Sequence, residues 1–137
     1  MSMRAESSFD VTGWDETPYE QPESGPHLSR ATVRKVFRGD IEGESSAQLL
    51  MCRSDPGDLG VGAGYVALET VTGSVGGRSG SFVIQHGGLS DPDGTHPMTA
   101  FIVTGSGTGE LVGIRGTLEI AVTADGAHSL TLDYELV

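Results

Sequence analysis

Two side chains stand out for their chemistry: Glu69 in GYVALETVTG (64–73) and His86 in SFVIQHGG (81–88). A carboxyl group pointing inward from an apolar, alternating stretch is desolvated. Desolvation raises its pKa toward the range useful for proton transfer. An imidazole titrates near neutrality and serves as a general acid or base. The pair therefore suits moving a proton on a small molecule, or stabilising charge that develops there. Two plainer roles compete. Glu69 faces solvent or pairs with Arg78 across the GSVGGR turn, and His86, beside Gly87 and Gly88 at a strand end, is a hydrogen-bonded structural residue. Other chemistries have less support. Nothing in the spacing of His86, His96 and Glu69 favours a two-histidine, one-carboxylate metal site, so no metal is expected. No serine sits in a nucleophile motif. Cys52 is the only cysteine, which excludes an intrachain disulfide and thiolate zinc sites; in the run LLMC (49–52) it reads as a buried thiol.

The stretch TAFIVTGSGTGELVG (99–113) invites a nucleotide-binding reading and fails it. A dinucleotide fingerprint starting at Gly105 needs glycine at position 110, where Glu110 stands, and a Walker loop needs a Lys-Ser or Lys-Thr pair that does not follow. The context is also wrong, because LVGIRGTLEIAVT alternates as a strand instead of opening a helix. No cofactor is expected. The glycines read as a tight hairpin, with Gly105, Gly107 and Gly109 free to take positive φ. Arg115, between Gly113 and Gly116, reads as a solvated turn residue.

The elements that must position Glu69 and His86 are strands. Alternation broken by glycine predicts about eight of them, over 7–14, 31–39, 46–53, 64–72, 79–89, 98–104, 116–123 and 129–136. No stretch holds a helical apolar stripe. Strands joined in sequence by short turns predict an all-β fold, a closed eight-stranded antiparallel barrel that leaves no free sheet edge. A barrel of this size has a lumen that side chains fill or that holds one small ligand. Residues 1–137 are expected to form a single barrel domain. Residues 1–6 are expected to be flexible, 15–29 to form a Pro-rich loop, and 54–62 and 90–97 to be further loops. Alternation also sorts faces. Tyr65, Ala67, Glu69 and Val71 share one; Phe82, Ile84 and His86 share another and are placed inside. Asp10, Thr12 and Trp14 go together, and Leu130, Leu132 and Tyr134 form the apolar face of the last strand.

Acidic residues outnumber basic ones 19 to 8, a formal charge of −11. Phosphate contacts need clustered Lys and Arg, so nucleic acid is not an expected partner. No apolar run approaches the length of a membrane span and no signal-peptide core is visible, so a membrane partner is not expected and the expected address is the cytoplasm. Lys35 is the only lysine and asparagine is absent, a composition in keeping with a high-GC genome.

The block VTGSGTGELVGIRGTLEI resembles the glycine-rich hairpin of allene oxide cyclases and dirigent proteins: glycines, one apolar residue, then G-x-x-G before the last strands. A closer resemblance, over nearly the whole chain, is to a bacterial family of unknown function, DUF3224. It is carried by FDVTGWDETPYE, LSRATVRKVFRGDIEGE, YVALETVTGSVGGRSGSFVIQHGG, GSGTGELVGIRG and TLDYEL. The resemblance implies a barrel of the allene oxide cyclase-like type. It also places Asp10 near the position of the steering glutamate of the plant cyclases, although aspartate is shorter and the rest of their pocket is not recognisable. The expectation that follows is a cofactor-independent cyclase or isomerase acting on a lipophilic small molecule in the lumen. Glu69, His86 and Asp10 are its catalytic candidates, with Trp14, Tyr65, Phe82, Ile84 and Tyr134 lining the substrate. The alternatives are a non-catalytic barrel that carries or senses a small apolar ligand, and a barrel whose lumen is filled. Related barrels form dimers or trimers, so a homodimer or homotrimer is in keeping with the resemblance.

Overall fold

A computed structural model describes residues 2–137. Eight strands form a closed antiparallel barrel in simple sequential order: β1 (Met3–Glu20), β2 (His27–Gly39), β3 (Ile41–Arg53), β4 (Ala63–Val75), β5 (Arg78–Ser90), β6 (Met98–Ile102), β7 (Ile114–Val122) and β8 (His128–Leu136). Period-2 patterning drives this outcome. In β2, Ala31, Val33, Lys35 and Phe37 point in while Arg30, Arg34 and Arg38 point out. Closure comes from β1, whose first half pairs with β8 from Met3↔Tyr134 to Phe9↔His128. Residues 3–6 are thus held in a strand instead of flexible; Met1 lies outside the described residues.

β1 also runs further than its sequence suggests. It continues through Pro18 to Glu20, so only residues 21–26 of the expected Pro-rich loop connect it to β2. Proline is tolerated because this half of β1 is an edge, paired with β2 alone. A bulge between Val11 and Gly13 breaks the alternation. Asp10, opposite Val36, faces outward, whereas Trp14, opposite the buried Val33, is turned to the lumen side.

The glycine-rich stretch is not a tight hairpin. β6 ends at Ile102, and residues 103–113 form a longer connection with one 3-10 turn at Gly109–Leu111. Gly105 and Gly109 take the positive φ expected of them, Gly107 does not, and Gly113 does so in addition. The segment lies along β5: the Thr108 amide donates to the Ser81 carbonyl, and the Ser81 and Val83 amides donate to Thr108 Oγ1 and Ser106 Oγ. Its Leu111 is 0% exposed, in the same cluster as Ile41, Val75 and Ile114.

The interior has two apolar clusters. The larger contains Phe9, Phe37, Phe82, Ile84, Leu130 and Leu132 and fills the half of the barrel closed by β8. The smaller, nearer the mouth formed by residues 21–26, 54–62 and 91–97, contains Ala31, Val33, Ala47, Leu49 and Ala67, with Met51 and Tyr65 packed on it.

Candidate functional site

Four adjacent strands each contribute one buried polar side chain between these clusters: Lys35 from β2, Ser45 from β3, Glu69 from β4 and His86 from β5. Lys35 lies opposite Ser45, whereas Glu69 lies opposite Ala47 and His86 opposite Ala67. The polar positions therefore step by two residues at each of the last two strand pairs. Strand tilt in a barrel brings such staggered residues together.

Glu69 is 1% exposed. Its Oε1 accepts hydrogen bonds from Lys35 Nζ at 3.0 Å and His86 Nε2 at 2.9 Å, and its Oε2 accepts from Ser45 Oγ at 2.5 Å. Burial alone pushes this carboxyl up, the direction expected from the sequence. The His86 hydrogen bond, the Lys35 charge and the Ser45 hydroxyl outweigh it and hold Glu69 at about 2. Glu69 is consequently a fixed carboxylate near neutral pH. The role of proton donor, which burial without partners would have conferred, is closed to it.

That fixed charge settles the direction of the remaining bonds. A carboxylate only accepts, so the hydrogen between it and His86 is on Nε2. In the neutral ring Nδ1 is then an acceptor, and the Tyr65 hydroxyl donates to it at 2.9 Å. The two rings meet edge to face with centroids 5.5 Å apart. Gly88, opposite Tyr65, makes this approach feasible, since a Cβ there would lie 3.1 Å from Tyr65 Cε1. Burial, reinforced by the Glu69 charge, pushes the Tyr65 phenol up to about 12. The result is a hydroxyl–imidazole–carboxylate run, Tyr65 to His86 to Glu69, in which the groups follow the order of a catalytic triad with a phenol as the hydroxyl member. Lys35 Nζ also sits 4.8 Å from the Phe9 ring centroid, a cation–π contact. Among the described residues no buried side-chain nitrogen or oxygen lacks a partner.

Tyr65 connects this layer to the mouth. It lines a rim cavity of about 360 Å³ with Met51, Arg53, His96, Pro97 and Met98, a volume suited to a small ligand. A second polar group also lies at the mouth. Glu16 accepts from Arg53 at 2.6 and 3.2 Å, from Ser29 at 2.7 Å and from Trp14 Nε1 at 3.1 Å. The Arg53 fork, followed by Ser29, holds the Glu16 carboxyl at about 2.

Several sequence-derived candidates come together and others do not. Glu69, His86 and Tyr65 share one hydrogen-bonded run, and Glu69 makes no pair with Arg78. Asp10 lies on the outer wall, exposed and paired with Arg38, on the opposite face of the sheet from that run. Trp14 stands at the mouth, 49% exposed. Phe82, Ile84 and Tyr134 are buried in the larger cluster, packed against other side chains. The lower lumen is thus occupied by large inward side chains, which moves the space for a ligand from the lumen to the rim. His96 bonds Ser90 at 3.2 Å on the rim instead of joining His86 and Glu69. The residues missed are Lys35, Ser45, Glu16 and Arg53. Lys35 had a readable signal: the sole lysine occupies the apolar phase of ATVRKVF.

Fold and site define a closed antiparallel β-barrel with a filled base and a charged, hydrogen-bonded layer beneath its mouth. The chain belongs to DUF3224, a family of proteins of unknown function, whose model matches residues 5–134. It is similar to a crystal structure of a DUF3224 protein of unknown function from Shewanella oneidensis MR-1, with 31% identity, 100% of this chain and 99% of that one covered, and a TM-score of 0.81. Comparison with curated proteins gives no match. Among the described residues no helix is long and apolar enough to cross a membrane.

Proposed function

We propose that this protein is a cytoplasmic, cofactor-independent isomerase or cyclase that moves a proton on a small apolar molecule held at the barrel rim. The observation that carries this reading is the unbroken run from a cavity-lining phenol, Tyr65, through His86 to a permanently ionised Glu69. A substrate C–H proton passes to the Tyr65 oxygen as the Tyr65 hydrogen passes to His86 Nδ1. The imidazolium that forms is held by Glu69, and reversal returns a proton to a different substrate atom. The glycine-rich resemblance to allene oxide cyclases and dirigent proteins supports cyclisation as the use of such a site, by fold-level analogy.

The test is proton exchange. Small β,γ-unsaturated ketones and lactones are incubated with the protein in D2O, and deuterium wash-in is followed by NMR. Wash-in above the buffer rate that falls at least about 100-fold in Tyr65→Phe, with ligand contacts at Met51 and Met98 retained, supports the reading. Equal wash-in with and without Tyr65 overturns it.

A second reading, a non-catalytic barrel that carries or senses a small ligand, uses the same rim cavity without proton transfer, and the filled base around Phe82 and Leu132 speaks for a third, a barrel with no ligand. Glu69→Gln separates the first two. An isomerase loses turnover and keeps affinity, whereas a carrier has no turnover to lose.

A further inference from the structure

The rim cavity above Tyr65 contains a hydrogen-bond donor that the fold does not saturate. Arg53 lies two residues beyond Met51 on the same face of β3, and Met51 is opposite Tyr65. Arg53 and Tyr65 are therefore diagonal neighbours on adjoining strands, about 7–8 Å apart at Cα, a separation that one ligand can bridge. Both line the cavity of about 360 Å³. Two of the five guanidinium N–H groups bind Glu16, at 2.6 and 3.2 Å, and the others have no partner among the described residues. Glu16 is fully engaged, since its Oε1 also accepts from Trp14 and its Oε2 from Ser29. His96 and Ser90, also on the rim, bond each other. Charge at the mouth is one-sided. The connections over 21–26, 54–62 and 91–97 contain Glu23, Asp55, Asp58, Asp91 and Asp93 and neither lysine nor arginine. Their field repels an anion, and Glu16 cancels the charge of the one arginine that lines the cavity. What remains is a donor with no net charge behind it, beside the apolar surfaces of Met51, Pro97 and Met98.

We propose that the ligand of this rim is a neutral, enolisable carbonyl compound, its oxygen held by Arg53 and its apolar body against Met51 and Met98, and that the Arg53–Glu16 pair selects it over the corresponding carboxylate. Its chemistry rests on the isomerase reading, its binding on the rim alone. A phenol–imidazole relay is a weak base, so the C–H bond it opens must be acidified by a neighbouring carbonyl. As that proton passes to the Tyr65 oxygen and the Tyr65 hydrogen to His86 Nδ1, the C–H electron pair becomes a C=C bond and the carbonyl π pair moves onto oxygen. The free N–H groups of Arg53 receive this charge as oxyanion donors. Return of a proton to the far carbon of the conjugated system gives the isomer. A cationic ligand would find both Glu16 oxygens already taken.

Two matched probes test this: cyclohexyl methyl ketone and cyclohexanecarboxylate, which differ by a methyl group in place of an ionised oxygen. Each is titrated at neutral pH into the full chain labelled at its methionine methyls, and the shifts of Met51 and Met98 give the affinity. The wild type is expected to bind the ketone at least about 10-fold more tightly than the carboxylate. Glu16→Gln removes the neutralising charge at constant size and is expected to reverse that order. Arg53→Met is expected to weaken ketone binding about 10-fold. Thermal melts establish that each variant is folded. Should Glu16→Gln unfold the chain, Arg53→Met decides alone, and unweakened ketone binding there overturns the proposal. So do equal affinities or a carboxylate preference in the wild type, an unchanged order in Glu16→Gln, or no Met51 and Met98 shift with either probe. Tyr65→Phe is expected to keep the ketone preference. Preference without proton exchange therefore removes the isomerase reading and leaves the binding specificity, whereas exchange without preference does the reverse.

Discussion

Glu69 and Glu16 are both lumen-side glutamates with carboxyls at about 2, yet the barrel treats them differently. Glu69 reaches that value against the largest opposing influence, its own burial, because Lys35, Ser45 and His86 all donate to it. Glu16 reaches it at the mouth through the fork of Arg53, a residue that water also reaches. At the waist each group needs the others, since a lone charge there has no water to turn to. At the mouth a freed partner is resolvated. Solvent at the mouth screens the Arg53–Glu16 pair, so the two carboxylates are coupled to the fold to different extents, and only the waist has the rigidity that a proton relay needs.

The comparison is broken most severely by taking one member out of the buried pair. Glu69→Ala leaves Lys35 charged and unpaired and is expected to cost about 3–5 kcal/mol in urea melts. Glu16→Ala should cost about 1 kcal/mol or less. Replacing both partners, Lys35→Met with Glu69→Leu, should recover most of the first loss while leaving His86 without its carboxylate. A double variant as unstable as Glu69→Ala would mean that the packing of the layer, and not its unpaired charge, sets the cost.

Acid sharpens the comparison. A carboxyl held at about 2 in the folded chain and near 4.5 when unfolded contributes stability that is fully present above about 4.5 and drains away as pH falls toward 2. Glu69 is expected to contribute about 3 kcal/mol of this loss, so Glu69→Gln should flatten the acid limb of a stability–pH curve markedly and Glu16→Gln only slightly. The smallest signal is spectroscopic. The Tyr65 phenolate absorbance should appear only near pH 12, and Tyr65→Phe should remove that contribution.

Much of this arrangement is legible in the sequence. Alternation in SFVIQHGG places His86 on an inward face, that in GYVALETV groups Glu69 with Tyr65, Ala67 and Val71 without deciding which face is inward, and strand count with turn spacing yields the closed barrel. What is not legible has identifiable causes. The bulge after Val11 moves Trp14 to the lumen side and leaves Asp10 outside, because one inserted residue reverses every later face. The value of Glu69 depends on donors from three other strands, whose stagger is set by barrel tilt and not by local pattern. The connection over 103–113 is longer than a hairpin because its hydroxyls and amides continue the β5 ladder after β6 ends.

The central claim is that His86 is held in one tautomer, with its hydrogen on Nε2 toward Glu69 and its Nδ1 lone pair toward Tyr65. Long-range proton–nitrogen NMR of the 15N-labelled protein at pH about 8.5, above the ordinary imidazole range, reads this directly. The account predicts a protonated Nε2, an unprotonated Nδ1, and an Nδ1 resonance that shifts toward that of a free lone pair in Tyr65→Phe. A hydrogen on Nδ1, rapid tautomer averaging, or an Nδ1 resonance indifferent to Tyr65→Phe would contradict it.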